Sequence, residues 1–228
     1  MFQDFVRSEA SRKRYWRRSL AGWPLIARAR PNAAHRALAR LETMRRVTRI
    51  ATQNVDGLHE RAGSPTTIAL HGAIDVVVCL ECGARFARAD VQRELEAANP
   101  GFRDASANAA PDGDADVSDA RDAAFVVPAC GECGGMLKPD VVFFGEGVPK
   151  PRVTDAREAL ERADAMLVVG SSLAVYSGFR FCEWAAALHK PIAAINIGRT
   201  RADPLLALKA SEPCGPLLGA LAQRLAAA

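Results

Sequence analysis

Two groups of residues in this 228-residue chain combine type and spacing suited to chemistry. The first is the pair of motifs Cys79-x-x-Cys82 and Cys130-x-x-Cys133. Two intervening residues let both sulfurs of a pair face one tetrahedral ion from a tight turn, and Gly83, Gly131, Gly134 and Gly135 supply permissive backbone. Four sulfur ligands leave no position open for water, so a zinc ion held there is structural. Two disulfides or a redox pair compete with that reading. The opening residues MFQDFVRSEA lack the apolar stretch of a secretory signal, and a redox motif needs only one pair, so zinc is expected.

The second group follows the β-branched run 47–52. Gln53, Asn54 and Asp56 place three short polar side chains in four positions, Gly57 and Gly63 mark turns, and the stretch closes on His71-Gly72. Beyond the carboxyl end of a strand in an open α/β sheet, amides and a carboxylate can bind the hydroxyls and amide of a cofactor. An imidazole beside them can move a proton. The same composition also describes an Asx-rich surface loop. Two further strand ends carry nucleotide-type residues, Gly170-Ser171-Ser172 and Asn196-Ile197-Gly198. Glycine lets a phosphate or ribose approach, and serine hydroxyls can bind phosphate oxygens at a helix N-terminus. Cys214, between Pro213 and Gly215, reads as a turn residue able to line the same site, whereas Cys182 reads as core.

These residues need elements to hold them. Phe5 to Leu20 is compatible with helix, interrupted by a Gly22-Trp23-Pro24 turn. Pro31-Asn32 opens a second helix with Ala34, Leu38, Leu41 and Met44 on one face. Strands are predicted at 47–52, Ile74–Val78, Val141–Phe144 (stopped by Gly145-Glu146-Gly147), Ala165–Val169 and Pro191–Ile195. Helices are predicted on the Val153, Ala156, Leu160, Ala163 face, over Phe179–His189, and at Leu217, Leu218, Leu221 and Leu225. Strands alternating with helices imply a mainly parallel sheet. Residues 97–122, rich in Ala, Asp, Asn, Gly and Pro, read as a long mobile loop.

A composition of 49% hydrophobic and 25% charged residues is ordinary for a globular protein, and no apolar run is long enough to cross a bilayer. The net charge of +4 is uneven: residues 1–46 hold twelve of the thirty Arg and Lys but three of the twenty-six Asp and Glu. An Arg-rich mitochondrial presequence or a nucleic-acid arm would show this bias. Trp16, Trp23 and Pro24 look like packed residues, which favours a solvated helical face instead. The acidic segment between the cysteine pairs argues against nucleic acid.

Taken together, TQNVDGLHERAG, ALHG, the two cysteine pairs, KPDVVFFGE, VVGSSLAVYSG and INIG resemble, in order, the sirtuins, NAD-dependent protein deacylases. The DFVRSEASRKRYWRRSLAGWP entry, the long loop between cysteine pairs and VYSG are similar to the class II branch, with its mitochondrial four-type sirtuin and bacterial relatives. The resemblance implies His71 as general base and Gln53, Asn54, Val55 and Asp56 around the nicotinamide ribose and carboxamide. It implies Gly170, Ser171, Ser172, Asn196, Ile197, Gly198 and Cys214 for the rest of the NAD site, and Cys79, Cys82, Cys130 and Cys133 for zinc. Phe144, Gly145 and Glu146 on one side and Val175 and Tyr176 on the other would hold an acyl-lysine peptide as an added strand.

The implied fold is α/β: a Rossmann-like parallel sheet flanked by helices, a small zinc module, and a helical N-terminal segment. Its expected divisions are 1–46, helical; 47–77 with 138–228, NAD-binding; and 78–137, zinc-binding. The family's first strand and its Gly-Ala-Gly-x-Ser loop, followed by a Pro-Asp-Phe/Tyr-Arg segment, are not in this sequence, so the sheet is expected to lack a central strand. The implied activity is protein-lysine deacylation giving nicotinamide and acyl-ADP-ribose. The alternatives are protein mono-ADP-ribosyl transfer and an inactive zinc-stabilised fragment. A cytoplasmic setting is expected for a bacterial protein, a mitochondrial one for a eukaryotic protein, with no membrane partner.

Overall fold

The first thirty residues form two helices, not the single helix and turn that local sequence suggests. In this computed structural model, which describes residues 1–102 and 120–227, the helices in chain order are α1 (Phe2–Arg7), α2 (Glu9–Arg28), α3 (Ala33–Thr43), α4 (Leu58–Arg61), α5 (Arg88–Ala98), α6 (Lys150–Arg162), α7 (Tyr176–Ala187) and α8 (Cys214–Ala226). The strands are β1 (Ile50–Thr52), β2 (Thr67–Ala69), β3 (Gly72–Cys79), β4 (Arg85–Ala87), β5 (Leu137–Val141), β6 (Met166–Val169), β7 (Ile192–Ile195) and β8 (Leu208–Ala210).

Ser8 separates α1 from α2: its backbone is extended, and its hydroxyl accepts the Ser11 N–H at 3.2 Å as an N-cap. Further on, α2 runs through Pro24. A proline inside a helix has no N–H for the carbonyl four residues back, here Leu20. That carbonyl instead accepts Gln92 Nε2 at 3.1 Å, a donor supplied by α5. Arg88, on the same helix, donates to the Ser19 carbonyl (3.1 Å) and hydroxyl (3.0 Å). The guanidinium lies 5.5 Å from the Trp16 ring and 5.0 Å from the Trp23 ring. Burial among them lowers its pKa to about 10.

These elements belong to the first of two compact units, comprising Met1–Ala29, Asn54–Gly57 and His71–Gly147. Its sheet is antiparallel, in the order β4-β3-β5, with a register shift between Ala73 and Val77. Phe5, Trp16, Leu20, Val77, Leu95 and Phe125 are buried in its core, which reaches Cys79 and Cys130. The stretch 97–122 departs from expectation at both ends. Asn99 is buried, donates to the Leu95 and Val126 carbonyls (both 2.8 Å) and accepts the Val126 N–H (2.7 Å). Phe102 meets the Phe125 ring edge-on at 5.3 Å, and buried Arg17 pairs with Asp122. Packing and hydrogen bonds thus hold the ends that composition marked as loose; residues 103–119 lie outside the described ones.

The second unit comprises Arg30–Gln53, Leu58–Leu70 and Val148–Ala228. Asn32 caps α3 by accepting the N–H groups of Ala34 and His35. The parallel strands make two ladders, β1-β2 and β6-β7-β8. Helices cover both faces. Ile68, Leu70, Val168 and Ile192 pack with Leu160 of α6 and Phe181 and Cys182 of α7. Ile50 and Ile195 pack with Leu38 and Leu41 of α3 and Leu218 of α8. This is a Rossmann-like layering. Among the described residues, β1 and β6 each have one paired neighbour.

The units divide the chain elsewhere than the expected segments. Helix α3 joins the second unit through its contact with α8, and residues 71–77 and 138–147 join the first through β3–β5 pairing. The expected strand Val141–Phe144 is corrected: β5 ends at Val141, and Phe144–Glu146 is a turn with Gly145 at φ +93°.

Candidate functional site

Two tight turns build the cysteine site. In one, Cys79 N–H donates to the Ala84 carbonyl (2.9 Å) and Gly83 N–H to the Cys79 carbonyl (3.0 Å), with Gly83 at φ +74°. In the other, Cys130 N–H donates to Gly135 (2.9 Å) and Gly134 N–H to Cys130 (2.8 Å), with Gly134 at φ +76°. Both left-handed positions need glycine. The four sulfurs lie within 4.8 Å of one another, with Cys79–Cys133 at 3.5 Å and Cys82–Cys130 at 3.8 Å. A disulfide requires about 2.05 Å. Four sulfurs at ~2.3 Å from one tetrahedral ion stand roughly 3.8 Å apart, which these separations fit.

The crowded sulfurs shift one another's titration in opposite directions. The Gly135 N–H draws the Cys133 thiol down, but Cys82, Cys79, burial and Cys130 push it up to about 12. The Ala84 N–H and the neighbouring sulfurs hold Cys82 below its ordinary value. A metal ion held there would take the cysteines as thiolates and release their protons on binding. Glu81 stands beside them, 3.5 Å from Cys79 Sγ, and accepts the Met136 N–H at 2.5 Å. A Cβ at position 135 would sit 2.2 Å from Glu81 Oε2 and 3.0 Å from Cys79 Sγ, so any larger residue there would have to displace the Glu81 carboxylate and press on the sulfur.

His71 sits in the same unit immediately before β3. Its carbonyl accepts the Val142 N–H at 2.8 Å and Gly72 follows at φ +86°, so the half-buried histidine is fixed at a strand end. Val55, Asn54 and Asp56 belong to this unit too. Val55 is buried and its carbonyl accepts the Ile74 N–H (2.9 Å), while Asn54 is exposed, Asp56 half-buried, and Gly57 turns the chain at φ +65°.

In the second unit three strand ends converge. Gly170, at φ +59°, continues β6 by donating its N–H to the Ile195 carbonyl (2.9 Å). Cys214 Sγ donates to that same carbonyl at 3.3 Å, and a Cβ on Gly170 would lie 3.4 Å from the sulfur. Cys214 is therefore the first residue of α8, packed under the loop, and not a turn residue as the sequence suggested. Asn196 is buried, with Nδ2 donating to the carbonyls of Ile197 (3.1 Å) and Gly198 (3.4 Å). Its amide shapes the strand-end turn, leaving Ile197 exposed. Ser171 Oγ accepts the Leu173 N–H (3.2 Å) and Ser172 Oγ the Ala174 N–H (3.4 Å).

Gln53, at the end of β1, joins this set. Its Nε2 donates to Ser177 Oγ (3.1 Å) and its Oε1 accepts from Ser171 Oγ (3.4 Å). Buried Cys182 is core as expected, its thiol pushed up to about 11 by burial.

Of the residues expected to hold a peptide, Val175 and Tyr176 are exposed where α7 begins. Tyr176 lies 5.2 Å from the Arg180 guanidinium. Phe144 is exposed, and its carbonyl accepts the Phe2 N–H at 2.9 Å. Glu146 is different: its carboxylate turns inward to Lys138 Nζ (2.9 Å) and the Phe143 N–H (2.6 Å). Sequence reasoning missed Lys138, Ser177 and Gly178. All three lie inside the quoted motifs KPDVVFFGE and VYSG, but only the fold reveals what they touch.

Residues 1–177 match the Sir2 family. An NAD-dependent protein deacetylase of Xanthomonas campestris pv. campestris is 55% identical over 222 residues, covering 97% of this chain and 76% of that protein. NAD-dependent protein deacetylase 2 of Bradyrhizobium diazoefficiens is 54% identical over 96% of this chain and 81% of its own. A solved structure of Sir2 bound to acetylated peptide aligns with TM-score 0.73 at 28% identity, over 89% of this chain and 74% of that one. One of Sir2 with a p53 peptide and NAD+ aligns with TM-score 0.72 at 28% identity, over 89% and 73%.

Proposed function

The chain belongs to the Sir2 family, and from that premise we infer that it is an NAD-dependent protein-lysine deacylase, converting NAD and an acyl-lysine protein into the protein with a free lysine side chain, nicotinamide and acyl-ADP-ribose. The observation that carries the reading is the contact between strand ends in the second unit. Gln53, beyond the carboxyl end of β1, is hydrogen-bonded to Ser171, beyond the carboxyl end of β6. In parallel α/β sheets that is where nucleotides bind. The relatives' names favour deacylation over ADP-ribosyl transfer.

NAD supplies the electrophilic ribose carbon and the leaving group. The chain's own residues have separate tasks. His71, as a neutral imidazole, can take a proton from a ribose hydroxyl. Its anchored backbone restricts where the ring can go. Gly170 and Gly198 provide close backbone approach, Ser171 and Ser172 hydroxyls, and exposed Ile197 an apolar surface for a base. Gln53, Asn54, Val55 and Asp56 are assigned to the nicotinamide ribose, and Cys214 supports the loop. Phe144, Gly145, Val175 and Tyr176 are assigned to the acyl-lysine peptide, with Glu146 shaping the turn. One structural zinc ion is held by Cys79, Cys82, Cys130 and Cys133, consistent with their spacing.

Among the described residues no helix is long and apolar enough to cross a membrane. The relatives are bacterial, which supports a bacterial cytoplasmic setting. The test is an acetyl-lysine peptide incubated with NAD and the purified chain, followed by mass spectrometry. Deacetylated peptide and acetyl-ADP-ribose are expected in equal amounts; a peptide heavier by ADP-ribose would overturn the reading. His71→Ala should abolish turnover, by a factor of roughly 100 or more for loss of a general base, while zinc stays bound.

A further inference from the structure

We propose that Ser177 and Gly178, on the first turn of α7, are positioning residues that hold the Gln53 amide in the orientation that receives the ribose hydroxyls of NAD. This rests on the NAD reading of the site. An amide carries two N–H donors and an oxygen with two lone pairs. In Gln53, one donor is given to Ser177 Oγ and one lone pair to the hydroxyl of Ser171. Among the described residues one N–H and one lone pair therefore remain, the set that a vicinal diol, itself both donor and acceptor, can satisfy.

The hydroxyls alone would leave the side chain free to swing about their bonds. Gly178 lets the amide lie close against the helix backbone, which closes one side to that swing. A Cβ built on it would stand 2.7 Å from Gln53 Oε1, 2.8 Å from Cδ and 3.1 Å from Nε2, so the amide lies flat against the glycine. Ser177 is buried and Gln53 half-buried, which shields these bonds from competing water. Because α7 begins at Tyr176, directly after exposed Val175, one turn of helix joins the amide's support to residues assigned to the peptide. Its integrity should therefore matter more to NAD affinity than to the fold.

The pair of variants Gly178→Ala and Ser177→Ala separates positioning from folding. Alanine is the better helix former, so Gly178→Ala should leave thermal stability unchanged or higher. The added methyl displaces the flexible end of Gln53, and NAD affinity measured by calorimetry should fall about tenfold. Ser177→Ala, a smaller change, should weaken NAD about fivefold through loss of the acceptor for the Gln53 amide. In steady state both should raise KM for NAD with little change in kcat, and zinc content should stay at one per chain. In a Gln53→Ala background, Gly178→Ala should cause no further loss, because nothing remains to displace. Wild-type NAD binding with equal affinity in both variants would overturn the positioning role and leave the function standing. Failure of the wild-type chain to bind NAD would overturn the NAD reading and this inference with it.

Discussion

Lys138 Nζ stands 2.9 Å from Glu146 Oε2, joining a lysine side chain 6% exposed to a glutamate 21% exposed. The same carboxylate oxygen accepts the Phe143 N–H, and the Phe143 ring lies 4.4 Å from the ammonium. One ion pair thus closes the turn that presents Phe144 and Gly145. Removing one member leaves the other charged and desolvated, whereas removing both does not. Lys138→Met should destabilise the protein by about 3–5 kcal/mol, and Lys138→Met with Glu146→Gln by clearly less. Denaturant melts of the three proteins measure the difference; additive losses would show that the pair is not a unit.

Zinc should be essential to the first unit. Each purified chain should contain one zinc ion, and its removal with a chelator should unfold the turns at 79–83 and 130–135, exposing the antiparallel sheet to protease. Cys130→Ala should abolish zinc binding. Gly135→Ala should weaken it, since its methyl would press on Glu81 and Cys79. Metal analysis and limited proteolysis report both effects.

Pro24 and Gln92 should be energetically coupled. Gln92→Leu strands the Leu20 carbonyl in a buried setting and should cost about 1–3 kcal/mol. Pro24→Ala restores a helical N–H for that carbonyl, so Gln92→Leu should cost much less in that background. Equal costs in the two backgrounds, measured by thermal or urea unfolding, would rule out the compensation.

Asp203 sets an acid limit on the loop after Gly198. Lys209, through bonds of 2.8 and 2.9 Å, and then Thr200 hold its carboxyl below the ordinary aspartate range. A carboxyl whose folded pKa is depressed contributes stability above its unfolded pKa, roughly 3.9, and loses it as pH falls through the lower folded value. The wild-type loop should therefore become protease-sensitive below about pH 4. Asp203→Asn should be more sensitive at neutral pH and show a flatter acid dependence.

The two cysteine pairs, the strand-end glycines and serines, and the position of His71 were legible because each is a local pattern. Spacing of two residues fixes how two thiolates can turn together, and a glycine at a strand end marks where the backbone must turn. The β6–α7–β7 succession and the Leu38–Leu41 face were legible for the same reason, since periodicity reports which side of an element is apolar. The long acidic stretch was misread at its ends because Asn99, Phe102 and Asp122 are held by partners distant in sequence: Val126, Phe125 and Arg17.

What the sequence by itself determined is therefore the chemical inventory: a four-cysteine set, a histidine after a polar loop, and glycine-, serine- and asparagine-bearing strand ends in Sir2 order. What only the tertiary structure decided is how those groups are oriented. Pro24 was expected to break a helix, and Gln92, sixty-eight positions later, supplies the missing donor. Glu146 was expected at a peptide edge, and Lys138 turns its carboxylate inward. Gln53 had a predicted ligand but no predicted support, and Ser171 and Ser177 provide it. In each case the deciding interaction is a hydrogen bond or ion pair between residues with no periodic relation, and such a pairing exists only once packing has brought the two side chains together.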